Sequence, residues 1–307
     1  MGTRTTMAPW TSADITDQTG RTFVVTGANS GLGLVTARDL VAHGARVVLA
    51  CRNTDKAEQA AAEITHGGAP GTTAVEALDL SDLASVRRFA DRVGPVDVLV
   101  NNAGLMAIPQ QRTVDGFEMQ FGTNVLGHFA LTGLLLDRLT DRVVWMSSVM
   151  HRIGSIRLDD LNWERRHYQR WLAYGQSKLA DLMLAYDLAY RLVAAGSPLR
   201  SVAAHPGYSA TNLQSRTESF QDALMGLGNR FFAQGPDRGA LPELYAATVP
   251  DLPGGTYVGP DGWGESSGHP IPVGSTVASH DRDVQRALFA ACEELTGVTM
   301  PVAAGVR

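Results

Sequence analysis

Between Arg21 and Gly33 the chain passes from Thr-Phe-Val-Val-Thr straight into Gly27-Ala-Asn-Ser-Gly31-Leu-Gly33, then into an Ala, Leu and Val pattern of helical period. A short apolar run that meets clustered glycines and leaves as a helix reads as strand, tight turn and helix. The glycines remove side chains where the backbone must turn sharply and approach a ligand. The helix that follows presents unpaired N–H groups and the positive end of its dipole. A pyrophosphate suits such a turn. The spacing, Gly-x-x-x-Gly-x-Gly, differs from the usual dinucleotide fingerprint, so taken alone this segment leaves a glycine-rich turn without nucleotide open.

The rest of the chain repeats the alternation. Apolar runs at 22–26, 45–50, 73–78, 96–101, 142–147 and 199–204 are short and valine-rich, and the stretches between them have helical period. This predicts a doubly wound α/β fold, a parallel sheet covered on both faces. The 307 residues suit one such domain, read as 19–307 behind an N-terminal arm, 1–18. A long helix is predicted over 172–195, where Leu179, Leu182, Met183, Tyr186 and Tyr190 recur at three- and four-residue steps and would face the sheet.

On that helix Tyr174 and Lys178 stand four residues apart, in a chain with one other lysine, Lys56, against twenty-four arginines. Positions i and i+4 share a helix face, so phenol and ammonium project into one space. A unit positive charge about 5 Å from a phenol, at an effective dielectric of about 20, favours the ionised form by roughly 3 kcal/mol. That brings proton transfer within reach of neutral pH.

Polar punctuation follows other apolar runs: Asn101-Asn-Ala-Gly104 after Val96-Asp-Val-Leu-Val100, Ser147-Ser148 after Val143-Val-Trp-Met146, and His205-Pro-Gly207 followed by Thr211. These are the carboxyl ends of predicted strands, where open α/β sheets bind ligands. The ordered set Thr-Gly-x-x-x-Gly-x-Gly, Asn-Asn-Ala-Gly, Ser, Tyr-x-x-x-Lys and Pro-Gly resembles the short-chain dehydrogenase/reductase family in its non-extended form, over about residues 20 to 260. Ala50-Cys-Arg-Asn53, Ser177-Lys-Leu-Ala180 and His205-Pro-Gly207 make it most similar to the retinol-dehydrogenase-like reductases.

That resemblance implies a Rossmann fold whose mostly parallel, seven-stranded sheet runs in the order 3-2-1-4-5-6-7, its last strand near Gly255-Thr-Tyr-Val258. It also implies roles for named residues. Tyr174 would be the general acid or base, Lys178 would tune the phenol and hold the nicotinamide ribose, Ser148 would orient the substrate oxygen, and Asn124 would link the lysine to a water chain. Ser148 is preferred to Ser147 because neighbouring strand residues point to opposite sides. The cofactor would lie against Gly27, Asn29, Ser30, Gly31, Leu32, Gly33, Asp79, Leu80, Asn102, Ala103, Gly104, Pro206, Gly207 and Thr211, besides Tyr174 and Lys178. Asp79 would hydrogen-bond the adenine, although an aspartate capping a helix would look the same. Cofactor choice turns on Arg52, at the end of the second run: an acid there binds a ribose 2′-hydroxyl, whereas an arginine accommodates a 2′-phosphate. Arg52 therefore favours NADP(H). Ser30 stands where NADP enzymes often carry a second basic residue, so NAD(H) stays open.

The expected function is an NADP(H)-dependent oxidoreductase acting on a lipophilic ketone, aldehyde or secondary alcohol. Reduction of a carbon–carbon double bond, as in the protochlorophyllide-reductase-like relatives, is one alternative. A dinucleotide-binding sensor without turnover is another, although sensors tend to lose the serine or the tyrosine and both are present here. Relatives with Ser-Lys-Leu-Ala commonly continue with asparagine, whereas here Asp181 follows, either competing for the ammonium or facing solvent. His151, three residues after Ser148, reads as a pocket residue or, more plainly, as a loop histidine.

Composition argues against other classes. A net charge of −5 and a pI near 5.9, with basic residues scattered, give no footprint for nucleic acid. Cys51 and Cys292 lie far apart without metal, redox or disulfide spacing, and the eight histidines form no metal-ligating pattern. Residues 1–18 lack the apolar core of a signal peptide, and no run approaches eighteen apolar residues. A cytoplasmic chain without a membrane span is expected, and a homo-oligomer stays open.

Two stretches break the alternation, Met150 to Trp171 and Ser209 to Gln234. In the family the region after the Pro-Gly turn covers the substrate. Here that segment, 209–236, carries Leu213, Phe220, Leu224, Met225, Leu227, Phe231 and Phe232, which suits a packed amphipathic helix and a mobile lid equally. Asp261 to Val273 reads as a glycine- and proline-rich loop bordering the pocket, and Arg282 to Leu295 as a helix.

Overall fold

A computed structural model describes residues 9–207, 235–300 and 302. The predicted runs form β1 (Thr22–Thr26), β2 (Arg46–Cys51), β3 (Thr72–Ala77), β4 (Val96–Asn101), β5 (Leu139–Met146), β6 (Arg200–Ala204) and β7 (Tyr257–Pro260). They pair in parallel in the order 3-2-1-4-5-6-7. The sheet has one strand more than the seven expected. β8 (Pro270–Pro272) pairs antiparallel with β7, inside the stretch read as a loop. Its two prolines mask it as a strand, yet an edge position tolerates them because one side needs no donors.

Among the described residues the α-helices are α1 (Gly31–Ala42), α2 (Thr54–Thr65), α3 (Leu83–Arg92), α4 (Met119–Phe121), α5 (Gly127–Leu135), α6 (Arg170–Ala194), α7 (Leu241–Thr248), which a single turn at Pro236–Gly239 precedes, and α8 (Arg282–Thr296). Alternating strand residues feed two cores. Phe23 and Val25 of β1 pack with Leu40 of α1, Ala57 of α2 and Leu244 of α7. Val24 packs on the other face with Phe89 of α3, Phe129 of α5, Leu182 of α6 and Phe289 of α8. Each such fully buried aliphatic or aromatic side chain contributes roughly 1.5–3 kcal/mol.

Leu179, Leu182, Met183 and Tyr186 of α6 are buried as predicted, but Tyr190 is exposed, with the Arg282 guanidinium 3.8 Å over its ring. Each four-residue step turns about 40° past a full circle, so Tyr190 has drifted off the sheet-facing stripe. Between α4 and α5 the backbone makes a π turn, Gly122–Leu126, an arrangement frequent at functional sites. Asn124 lies within it. Thr211 and the segment 209–236, apart from Gly235 and Pro236, lie outside the described residues. Among the described residues no helix is long and apolar enough to cross a membrane, and no group of His, Cys, Asp or Glu could hold a metal ion.

Candidate active site

The carboxyl ends of the parallel strands open onto a cleft of about 810 Å³. At one end β1 hands the chain to Gly27 at φ 69°. A side chain at Gly27 would meet Ala103 Cβ at 3.0 Å, and one at Gly33 would strike Asn102 Nδ2 at 2.5 Å. The turn can therefore lie against Asn102-Ala103 only with both positions bare. Asn102 Nδ2 donates to the Thr26 carbonyl at 2.6 Å. A helix leaves its first N–H donors without intrahelical partners, and Ser30, at the N-cap of α1, makes no side-chain capping bond. This end of the cleft fits an anion.

A chain of hydrogen bonds backs the turn. The Ala103 N–H donates to Thr26 Oγ1 at 2.9 Å, Thr26 Oγ1 lies 2.9 Å from His128 Nε2, and His128 Nδ1 lies 2.8 Å from the Asn124 carbonyl. A carbonyl only accepts, so Nδ1 carries the hydrogen and Nε2 accepts from the Thr26 hydroxyl. Burial pushes His128 down to about 3, so it is neutral, as this tautomer requires. Nothing local in the sequence marks His128, because Thr26 lies 102 residues away.

Asn124 is buried behind the cleft wall. Its Oδ1 accepts from the Leu105 N–H at 2.8 Å, and its Nδ2 donates to the Leu105 carbonyl at 2.9 Å and to Ser177 Oγ at 3.0 Å. None of these bonds goes to Lys178. The side chain holds the segment after Gly104 against α6.

Tyr174 and Lys178 both face the cleft from α6, with Lys178 Nζ 5.9 Å from the centre of the phenol ring. Lys178 Nζ donates to the Met146 carbonyl at 2.8 Å and to Asp181 Oδ2 at 2.9 Å. Asp181 is buried, not solvent-facing, and it does compete for the ammonium. Burial works against the Lys178 charge, but the Asp181 carboxylate and the Tyr174 phenol together outweigh it and hold the ammonium above its ordinary value. Burial in turn lifts the Asp181 carboxyl to about 6 against the pull of Lys178, and Asp181 Oδ1 is left without a partner.

The two serine hydroxyls diverge as their strand-end positions predict. Ser147 Oγ donates back to the Lys178 carbonyl at 2.7 Å, whereas Ser148 Oγ accepts from the Met150 N–H at 3.2 Å and caps a short 3-10 helix, Val149–Ile153. His151 is buried away from the cleft: its Nδ1–H donates to the Ser148 carbonyl at 2.7 Å, and its ring meets Tyr257 edge-on at 5.6 Å.

At the far end Arg52 is exposed and makes no ion pair among the described residues. Lys56, in the first turn of α2, lines the same stretch, so a second cation is present although Ser30 does not supply it. Asp79 Oδ1 accepts from the Ser81 N–H at 2.9 Å and the Ser81 hydroxyl at 2.6 Å. The cap of α3 is Asp82, so Asp79 is no helix cap.

Gly27, Asn29, Ser30, Gly31, Leu32, Gly33, Arg52, Asp79, Leu80, Asn102, Ala103, Gly104, Ser148, Tyr174, Lys178, Pro206 and Gly207 all line the cleft. An apolar wall that the motifs do not announce joins them: Met106, Ile108, Met119, Met146, Met150 and Trp171.

Residues 21–222 match the family described as short chain dehydrogenase. The chain belongs to that family. It is 39% identical to retinol dehydrogenase 13 of Mus musculus over 295 residues, 92% of the chain and 85% of the relative. It is 46% identical to human retinol dehydrogenase 12 over 202 residues, 63% of each chain. It is similar to the crystal structure of an uncharacterized protein from Mycobacterium paratuberculosis, at 51% identity and a TM-score of 0.83 over 96% of this chain and 100% of that one. The Pseudomonas aeruginosa RhlG/NADP complex aligns at 26% identity and a TM-score of 0.61, covering 78% and 94%. The chain is thus a retinol-dehydrogenase-like member of an oxidoreductase family that binds nicotinamide dinucleotides.

Proposed function

We propose that this chain is an NADP(H)-dependent oxidoreductase interconverting a lipophilic ketone or aldehyde and its alcohol. The reading is carried by Tyr174 and Lys178 on one helix face, sharing with Ser148 a cleft that ends on an open helix N-terminus and Arg52. The bare turn at Gly27 and Gly33 and the first turn of α1 would hold the pyrophosphate, Arg52 with Lys56 a 2′-phosphate, and Pro206-Gly207 with Lys178 the nicotinamide end. When bound, the dinucleotide supplies or accepts the hydride.

Everything else falls to side chains. The Tyr174 hydroxyl gives its proton to the carbonyl oxygen during reduction and recovers it during oxidation. Lys178 keeps a positive charge beside the phenol. Ser148 Oγ already accepts from Met150, so its hydrogen can point at the substrate oxygen and polarise it. Asn124 and His128 do not touch the reacting atoms; they keep Leu105, Ala103 and Thr26 in register behind the cofactor. The methionine-rich wall adapts to apolar shapes and excludes water. The names of the relatives, retinol dehydrogenases, agree with a lipophilic alcohol.

NADPH depletion against a panel of aliphatic ketones, retinal, other aldehydes and enones tests this. Carbonyl reduction with NADPH favoured over NADH is the expected result. Turnover of the enones alone would instead indicate double-bond reduction, and tight NADPH binding without turnover would indicate a sensor.

A further inference from the structure

Glu265 joins two loops that approach the cleft from neighbouring strands. Its Oε1 accepts from Arg152 at 2.7 Å, in the segment that begins at Ser148 after β5. Its Oε2 lies 3.0 Å from His205 Nε2, at the end of β6. His205 Nδ1 in turn accepts the Gly207 N–H at 3.2 Å, which leaves Nε2 as the protonated nitrogen and makes it the donor to Glu265. The carboxylate thus selects the tautomer that the Pro206-Gly207 turn needs, because the other tautomer would set one N–H against another.

The surrounding backbone is shaped to this contact. A side chain at Gly259 would lie 2.1 Å from His205 Nε2, so the ring sits directly on bare backbone. Gly207, at φ 67°, would meet the Ser266 carbonyl at 2.6 Å and the Glu265 carbonyl at 3.0 Å if it carried a side chain. Glu265 itself is left-handed at φ 58°, a conformation that glycine adopts freely and an L side chain adopts at a cost. The position therefore carries a carboxylate where the backbone alone would favour glycine. Tyr257 packs against the His205 ring at 5.1 Å and against His151 at 5.6 Å, closing the cluster.

We propose that Glu265 is a positioning residue for the nicotinamide half of the cofactor site, holding the Pro206-Gly207 turn at a set distance from the Ser148 segment. The inference rests on the assignment of Pro206-Gly207 to the nicotinamide end. The test compares two probes on the full chain, NADPH and 2′,5′-ADP, which carries only the adenosine-side groups. Glu265→Gly removes the carboxylate and relieves the backbone strain together. It should weaken NADPH by about tenfold, leave 2′,5′-ADP within about twofold, and keep the melting temperature within about two degrees of wild type. Glu265→Gln, which keeps an acceptor for His205, should recover most of the NADPH affinity. Unchanged NADPH affinity in Glu265→Gly, or equal losses for both probes, would overturn the proposal and leave Glu265 a loop residue only. If the wild-type protein binds NADPH and 2′,5′-ADP equally tightly, the assignment of Pro206-Gly207 itself fails. If it binds neither NADPH nor NADH, the cofactor reading fails and takes this proposal with it.

Discussion

The ammonium of Lys178 lies 2.9 Å from the carboxylate of Asp181, and both side chains are buried. The lysine that shares a helix face with Tyr174 is therefore already paired, where relatives with the same Ser-Lys-Leu-Ala run commonly carry asparagine. Breaking a buried pair by removing one partner ordinarily costs about 3–5 kcal/mol, but asparagine keeps one acceptor for the Lys178 N–H. Asp181 is seven residues beyond Tyr174, about 10 Å along the helix, and a unit charge at that distance with an effective dielectric of about 20 is worth about 1.5 kcal/mol. Groups facing the pair from other elements are His128 of α5, held neutral by burial, and Cys292 of α8, whose thiol burial pushes up. In Asp181→Asn the acid limb of the pH profile for alcohol oxidation should move down by about one pH unit. A profile that superimposes on wild type would show that the carboxylate does not reach the reacting proton.

Tyr174→Phe should lower kcat by about 10² to 10⁴, the usual contribution of a positioned acid or base. NADPH affinity should stay within a few fold, because Lys178, Gly27, Gly33 and Arg52 are untouched. Stopped-flow turnover alongside a fluorescence titration of NADPH separates the two effects. Retained turnover would remove Tyr174 from the chemistry.

Gly27, Asn102, Ser148 and Gly207 are legible in the chain because each follows a strand end, where glycine, asparagine or serine interrupts an apolar run, and Tyr174 and Lys178 because their four-residue spacing puts them on one face of α6. Their shared cleft follows from parallel strands ending on one edge. What the chain conceals are contacts between distant segments. The Thr26–His128 contact spans 102 positions, and the Arg152-Glu265-His205 bridge spans 113 and 60, with no common local pattern. Asp181 was conspicuous as a departure, yet its burial depends on α8 packing across α6 and could not be read from helical period. Lys56 carries no such signal, because it lies four residues past Arg52 on the first turn of α2 and not in the glycine turn.

Arg52→Asp should exchange the cofactor preference. It removes a charge-assisted contact worth about 1.5–3 kcal/mol and adds repulsion toward a 2′-phosphate. Lys56 should temper the exchange, since it lines the same stretch of cleft, so Arg52→Asp combined with Lys56→Ala should shift the NADPH to NADH ratio of kcat/KM further than either change alone. Parallel kinetics with the two cofactors measure this. A wild type already faster with NADH would contradict the assignment before any substitution is made.

Glu243 gives a pH signature separate from catalysis. It is fully buried on α7, and neither its carboxyl oxygens nor the nearby buried Thr36 hydroxyl of α1 makes a well-formed hydrogen bond among the described residues. Burial pushes its carboxyl up to about 8, against a smaller downward pull from Thr36. The folded state therefore keeps a proton that the unfolded chain has already released above its ordinary value of 4.5. Stability contributed by the neutral carboxyl is fully present below the unfolded value and is lost as pH rises toward the folded one, by up to about 1.4 kcal/mol per pH unit. Above pH 8 both states are ionised and the slope vanishes. Glu243→Gln is neutral at every pH and should flatten the dependence across that window, so the variant should be more stable than wild type at pH 8 and about equal to it below pH 4.5. Denaturant unfolding at several pH values decides it. Parallel curves for the two proteins would mean that Glu243 is ionised and solvated in the folded state.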